Sequence, residues 1–374
     1  MELTMGRLER SIRSACAALI LGTALGTASE AQAQGRRGND AAADKGTSAL
    51  ATLITYRGKD IENVEVREEK FAKIRYRPRG GRIEEISGAD VKEVRYLSPP
   101  PAFATGMSQL RAGLYTKAVT SFTAARNAAE DGSWVWFHGT LRLGESQMLG
   151  GSYAEAQKEF ERLLGKDAEH FLAPEAIYLL GRSQSAAGAH AKALSTFGKL
   201  DSGFGEIFSA RGRLGMGDAA LGKGDPTDAR KHFKFAEDRA GLRHQDLRRA
   251  AKVGVGKSFV ADKRWDDAVQ HFDAIISEPG VAAEVAGGAW VGKGDCKLAQ
   301  AEERSGDKNL LKEALIAYQT CAVRYAGTPE AYPKALFQSA MIYEKLGLPQ
   351  LASHMRDELK SRSPNSPWAA KLDK

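Results

Sequence analysis

The chain has 374 residues, 43% of them hydrophobic and 27% charged, with a formal net charge of +7. These fractions suit an ordinary globular protein and exclude a collagen-like, disulfide-stapled or wholly disordered chain. The positive balance is modest and interleaved with acids, so it permits anionic partners without demanding one.

Arg7, Arg10 and Arg13 precede an apolar run from Ala15 to Ala28, and Ala31-Gln32-Ala33 follows. A basic start, a short apolar core and an A-x-A site predict a secretory signal peptide over residues 1–33, cleaved near Ala33. The run falls short of the ~20 residues of a membrane helix. No transmembrane span is therefore expected in the mature chain, which is exported to a periplasmic or extracellular space. Residues 34–48 are polar and read as a flexible linker.

Residues 49–98 change texture. Leu53-Ile54-Thr55-Tyr56, then Ile61, Val64 and Val66, Phe71, Ile74 and Tyr76, Ile83 and Ile86, and Val91, Val94 and Tyr96 form short runs between Gly-rich turns. They predict a small all-β unit, a sheet or barrel of about five strands, similar to small SH3-like or Sm-like barrels. Its basic and acidic residues alternate and form no basic stripe, which argues against nucleic acid as a partner. Pro99-Pro100-Pro101 then reads as a stiff hinge.

From residue 99 to 374 the chain keeps a beat. Ala118, Ala156, Ala193, Ala229, Ala268, Ala314 and Ala352 recur at intervals of 36 to 46 residues. Four residues after the first six stands an aromatic: Phe122, Phe160, Phe197, Phe233, Phe272 and Tyr318. Gly106, Gly144, Gly181, Gly217 and Gly256 stand twelve before, and the turn glycines Gly113, Gly151, Gly188, Gly224 and Gly347 stand five before. Such a period predicts stacked helical hairpins, in which small residues allow close approach and the turn glycine adopts a left-handed conformation. In the sixth repeat Gly294 and Ala314 are 20 residues apart, so its hairpin is expected to be longer; in the seventh Arg356 replaces the aromatic, as suits a terminal cap.

At these residues the chain resembles the tetratricopeptide repeat (TPR) family. The resemblance implies a mainly α fold, a right-handed α-solenoid of about seven hairpins after the small β unit. Ala173-Pro174-Glu175-Ala176-Ile177-Tyr178-Leu179-Leu180-Gly181 and Ala326-Gly327-Thr328-Pro329-Glu330-Ala331 are similar in phrasing to periplasmic TPR proteins of the Tol-Pal system and of outer-membrane β-barrel assembly. In the family the first helix of each hairpin lines the concave face. Register then assigns Arg142, Glu145, Tyr178, Arg182, Arg211, Asp218, Lys257 and Asp295 to a surface for a protein or peptide partner. Arg suits carboxylates because its planar fork bonds them in pairs.

Three patterns invite other readings. Gly254-Val255-Gly256-Lys257-Ser258 ends like a phosphate loop but falls mid-helix in the repeat phase, where amides are already bonded. Gly-x-Gly recurs at Gly215, Gly254 and Gly292; each extra glycine costs a helix about 1 kcal/mol, so tight helix packing and a smooth groove floor are both open explanations. Cys296 and Cys321 fall in one hairpin, leaving a disulfide and two buried free thiols as alternatives. No histidine spacing suits a metal and no nucleophile–base constellation emerges, so no cofactor and no enzyme activity are expected. The chain is expected to be an exported scaffold of the cell envelope. The alternative is a cell-wall module, with the β unit gripping peptidoglycan and the repeats as spacer.

Overall fold

The computed structural model describes residues 49–241 and 244–372; the signal peptide and linker expectations lie outside them. Five strands come first: β1 (Leu50–Thr55), β2 (Ile61–Glu69), β3 (Ile74–Pro78), β4 (Glu84–Ile86) and β5 (Val91–Tyr96). They form one antiparallel sheet in the order β4-β3-β2-β1-β5. Ala51, Leu53, Val64, Ile74, Tyr76, Val91 and Val94 are its buried residues, turned to one face on the two-residue period of a strand, except that a register shift against β1 lets Val91 and Val94 share that face. A one-turn helix, Gly88–Asp90, leads into β5. Gly88 is required there, because a methyl group at its Cα would lie 2.4 Å from the Phe71 carbonyl oxygen.

Seven helical hairpins follow. They are α1 (Pro101–Arg111) with α2 (Tyr115–Asn127), α3 (Trp134–Leu149) with α4 (Tyr153–Lys166), and α5 (Ala173–Ala186) with α6 (His190–Gly198). Next come α7 (Gly205–Lys223) with α8 (Pro226–Ala240), and α9 (Gln245–Ala261) with α10 (Trp265–Ile276). The last are α11 (Ala283–Glu303) with α12 (Lys308–Arg324), and α13 (Ala331–Lys345) with α14 (Pro349–Arg362). The turn glycines 113, 151, 188, 224 and 347 all have φ between 72° and 86°. In the fifth hairpin Lys263 holds that place at φ 61°, without glycine's freedom. The extra residues of the sixth repeat go mainly into its two helices, of 21 and 17 residues, and its turn, 304–307, is also slightly longer than the others. Among the described residues, no helix is long and apolar enough to cross a membrane.

The repeat glycine faces a ring, not the alanine that the pattern suggested. A methyl placed on Gly106, Gly144, Gly181, Gly217, Gly256 or Gly294 would lie 2.4 to 2.8 Å from Phe122, Phe160, Phe197, Phe233, Phe272 or Tyr318 respectively. The extra glycines explain themselves in the same way. Gly215, Gly254 and Gly292 each press, at 2.4 Å for such a methyl, on the ring of the preceding hairpin: Phe197, Phe233 and Phe272. Each of these rings is thus held between two helix backbones. Packing, not a groove floor, accounts for Gly-x-Gly.

The sheet does not swing free on the prolines. Its buried residues share a core with Phe137, Leu141, Phe171, Leu172 and Phe208 of the helical part. Two backbone bonds, Phe71 N–H to Glu169 O and Phe171 N–H to Glu69 O, both 2.8 Å, splice the end of β2 to the loop between α4 and α5. Pro101 instead opens α1 at its first turn, where its missing N–H costs nothing. Cys296 and Cys321 are buried and free rather than bridged. Burial pushes the two thiols up to about 11 and about 12, so both are inert at neutral pH.

Candidate functional site

The first helices of successive hairpins line one side of a cleft, and β5 lines the other. Its volume is about 1130 Å³. Phe103, Met107 and Leu110 of α1 share its apolar wall with Leu97 and Leu149, which are about 45% and 37% exposed. Phe103 and Trp134 meet edge to face at 5.6 Å, and Trp134 stacks on Tyr96 of β5 at 3.8 Å.

Beneath that stack lies a buried polar knot. The Glu69 carboxylate accepts from the Tyr96 hydroxyl and contacts His138 Nε2 at 2.9 Å. Burial alone would raise the Glu69 pKa, but the two nearby imidazoles, His138 foremost, and the hydrogen bonds outweigh it and hold it at about 2. Burial pushes His170 down to about 4, against the pull of Glu69. His170 stacks on Phe137 at 3.9 Å and accepts the Leu172 N–H at 3.1 Å. This knot holds the sheet to the helices.

The charged residues of the cleft are mostly committed to one another. Arg142 donates to Glu145 at 2.6 Å. Arg211 holds Glu175 through two bonds of 2.5 and 2.9 Å and lies 4.1 Å over the Tyr178 ring. Burial would raise the Glu175 pKa, but Arg211 overrides it and lowers it. Arg95 of β5 pairs with Glu93 at 2.9 Å.

The eight residues assigned from repeat phase therefore divide. Arg142, Glu145 and Arg211 line the cleft, and Tyr178 packs beneath Arg211. Arg182, Asp218 and Lys257 stand further along, where Arg182 reaches Glu330 of the seventh repeat at 2.8 Å. Protein on its flanks raises the Asp218 pKa, while Lys257 opposes the rise. Asp295 stands apart, accepting from the Tyr318 hydroxyl at 2.8 Å and from Lys334 at 2.5 Å. Repeat phase missed Glu175, although it sits three residues before Tyr178 and seven before Arg182 on one helix face. The strand residues Glu93, Arg95 and Tyr96 carried no signal linking them to the helices.

Residues 214–284 match the tetratricopeptide repeat family model. The same ring-and-glycine contacts recur in the hairpins before and after that stretch, so tetratricopeptide-like repeats run through the helical part. Several solved structures are similar in fold. A tetratricopeptide repeat protein from Parabacteroides merdae is 14% identical, with 72% of this chain and 95% of that one covered and a TM-score of 0.49. PilW, described as a widely conserved type IV pilus biogenesis factor, is 16% identical over 66% of this chain and 100% of its own, with a TM-score of 0.42. A Rap protein complexed with competence and sporulation factor is 15% identical over 71% and 76%, with a TM-score of 0.47. No curated protein sequence matches the chain.

Proposed function

We propose that the chain is a non-enzymatic, exported scaffold of a bacterial cell envelope that captures a protein or peptide partner on its concave face. The observation that carries this reading is the cleft between β5 and the first helices. At about 1130 Å³ it exceeds the roughly 300–1,000 Å³ of pockets for small ligands. Its wall is apolar while most of its charges are paired, which suits a peptide better than a small charged metabolite. The basic, apolar and A-x-A start supports export, and the Tol-Pal-like phrasing of residues 173–181 and 326–331 supports the envelope.

Photo-cross-linking in intact cells tests the reading. A benzophenone side chain at Leu149, in the cleft, should yield discrete protein adducts. One at Val323, which is 79% exposed on the second helix of its hairpin, should not. Adducts at Val323 with none at Leu149 would reject the concave face.

A further inference from the structure

One wall of the cleft is the edge of a sheet. Among the described residues no strand pairs with the outer side of β5. Leu97 N–H donates inward to Leu50 O at 2.9 Å, and Arg95 and Glu93 oppose Thr52 and Ile54 of β1. Antiparallel pairing alternates inward and outward, so the backbone groups of Val94 and Tyr96 point to the outer side. All of Val91–Leu97 border the cleft. An unpaired edge of this kind is a template for another chain, and proteins usually blunt it. The opposite edge, β4, is blunted: it has three residues, two of them glutamates. β5 has six, about 20 Å of strand, and a register shift near Lys92 confines the regular part to its second half.

Charge narrows the occupant. Arg95, Arg142 and Arg211 are each matched by a carboxylate within the cleft. Lys92 and Arg111 also line it, and among the described residues neither has a carboxylate partner; Arg111 donates only to the Met107 carbonyl. We propose that an extended, acidic segment of a protein partner adds to the outer edge of β5 as a sixth strand. Its main chain bonds Val94 and Tyr96, its carboxylates meet Lys92 and Arg111, and its alternate apolar side chains lie on Phe103 and Met107. Main-chain pairing supplies affinity and the pockets supply specificity. The inference rests on the cleft being the partner site.

A random dodecapeptide library displayed on phage and panned on the full chain tests it. The enriched peptides should carry glutamate or aspartate alternating with apolar residues. The best one, synthesised, is then measured by fluorescence anisotropy in three forms: unmodified, N-methylated at every second residue in one phase, and N-methylated in the other. One phase should weaken binding about tenfold or more, through lost edge hydrogen bonds, and the other far less. Lys92→Glu with Arg111→Glu, both on the surface, should also weaken the unmodified peptide about tenfold. Binding that the charge variant weakens but neither methylated form does would overturn strand addition and leave the cleft reading standing. Selected peptides that neither the charge variant nor either methylation phase weakens, or no selected peptide at all, would overturn both.

Discussion

Replacing Gly215 with alanine sets two effects of opposite sign against each other. Mid-helix, the change should gain about 1 kcal/mol of helix propensity. The new methyl, however, would lie 2.4, 2.5 and 2.6 Å from three carbons of the Phe197 ring. Carbon atoms in contact prefer about 3.5–4.0 Å, so the ring would have to retreat by about 1 Å. It has nowhere to go. A methyl at Gly181, in the ring's own hairpin, would also lie 2.6 Å from it, and Phe197 is 2% exposed. Overpacking costs about 1–3 kcal/mol and occasionally more. Confinement by two hairpins places this case at or above the upper end, for an expected net loss of about 2 kcal/mol.

Gly165→Ala is the matched control, because α4 leaves open space there and nothing lies within 4 Å of the added methyl. It should be neutral or gain up to about 1 kcal/mol. Urea unfolding followed by circular dichroism reads both variants, with a second probe to check that the transitions coincide, since repeat stacks can unfold in parts. Adding Phe197→Leu to Gly215→Ala should cost less than the sum of the two changes, because the smaller side chain makes room. If Gly215→Ala is as stable as Gly165→Ala, the ring is not clamped and the account of Gly-x-Gly fails.

Lys263→Gly should raise stability by about 1 kcal/mol, because lysine is held at φ 61°; a lower melting temperature would show that the side chain itself is needed. Arg211→Ala should cost about 1.5–3 kcal/mol by stripping a half-buried carboxylate of two charged bonds. Arg182→Ala, at a more exposed pair, should cost less than about 1 kcal/mol, so urea midpoints in the reverse order would contradict this ranking. The folded-state pKa of His170, about 4, lies below its unfolded value of 6.5, so the unfolded chain takes the proton first. Its contribution is whole above pH 6.5 and drains away as pH falls towards 4, whereas that of Glu69 drains only between about 4.5 and 2. His170→Gln should therefore flatten the melting-temperature profile between pH 6.5 and 4; an unchanged slope would remove His170 from the account. Under the proposed export, N-terminal sequencing of the mature protein should begin at Gln34, and recovery of the intact N-terminus would refute cleavage after Ala33.

The hairpins were legible because each residue of the pattern repeats its job: ring, alanine and turn glycine return in phase, so an error at one repeat is corrected by the next. What the phase could not tell was which residue meets which across the helix contact, and the glycines proved to face rings. The strands were legible from alternation and turns, but their docking was not. Glu69, His138 and His170 come from a strand, a helix and a loop, and no period joins them. The same limit applies to the cleft. Arg142, Glu145 and Arg211 followed from helix phase, while β5 entered only through the packing of the sheet.

The glycine clamps have a consequence beyond their own hairpins. Backbones from two successive hairpins pressed against the rings of Phe197, Phe233 and Phe272 draw those hairpins together at the ring layer. Elsewhere the spacing is left to larger side chains, and a stack tightened on one side must curve. In a simple solenoid each repeat touches only its neighbours. Here Arg182 of the third hairpin meets Glu330 at the start of the seventh, and Asn365 beyond the seventh donates to the Gly113 carbonyl of the first at 3.0 Å. Exposed contacts of this kind are worth at most about 1 kcal/mol each, too little to bend a stack of seven hairpins. They record a curvature that the buried rings and glycines impose. That curvature brings the first helices round, so the proposed partner surface becomes a cleft with a strand for one wall.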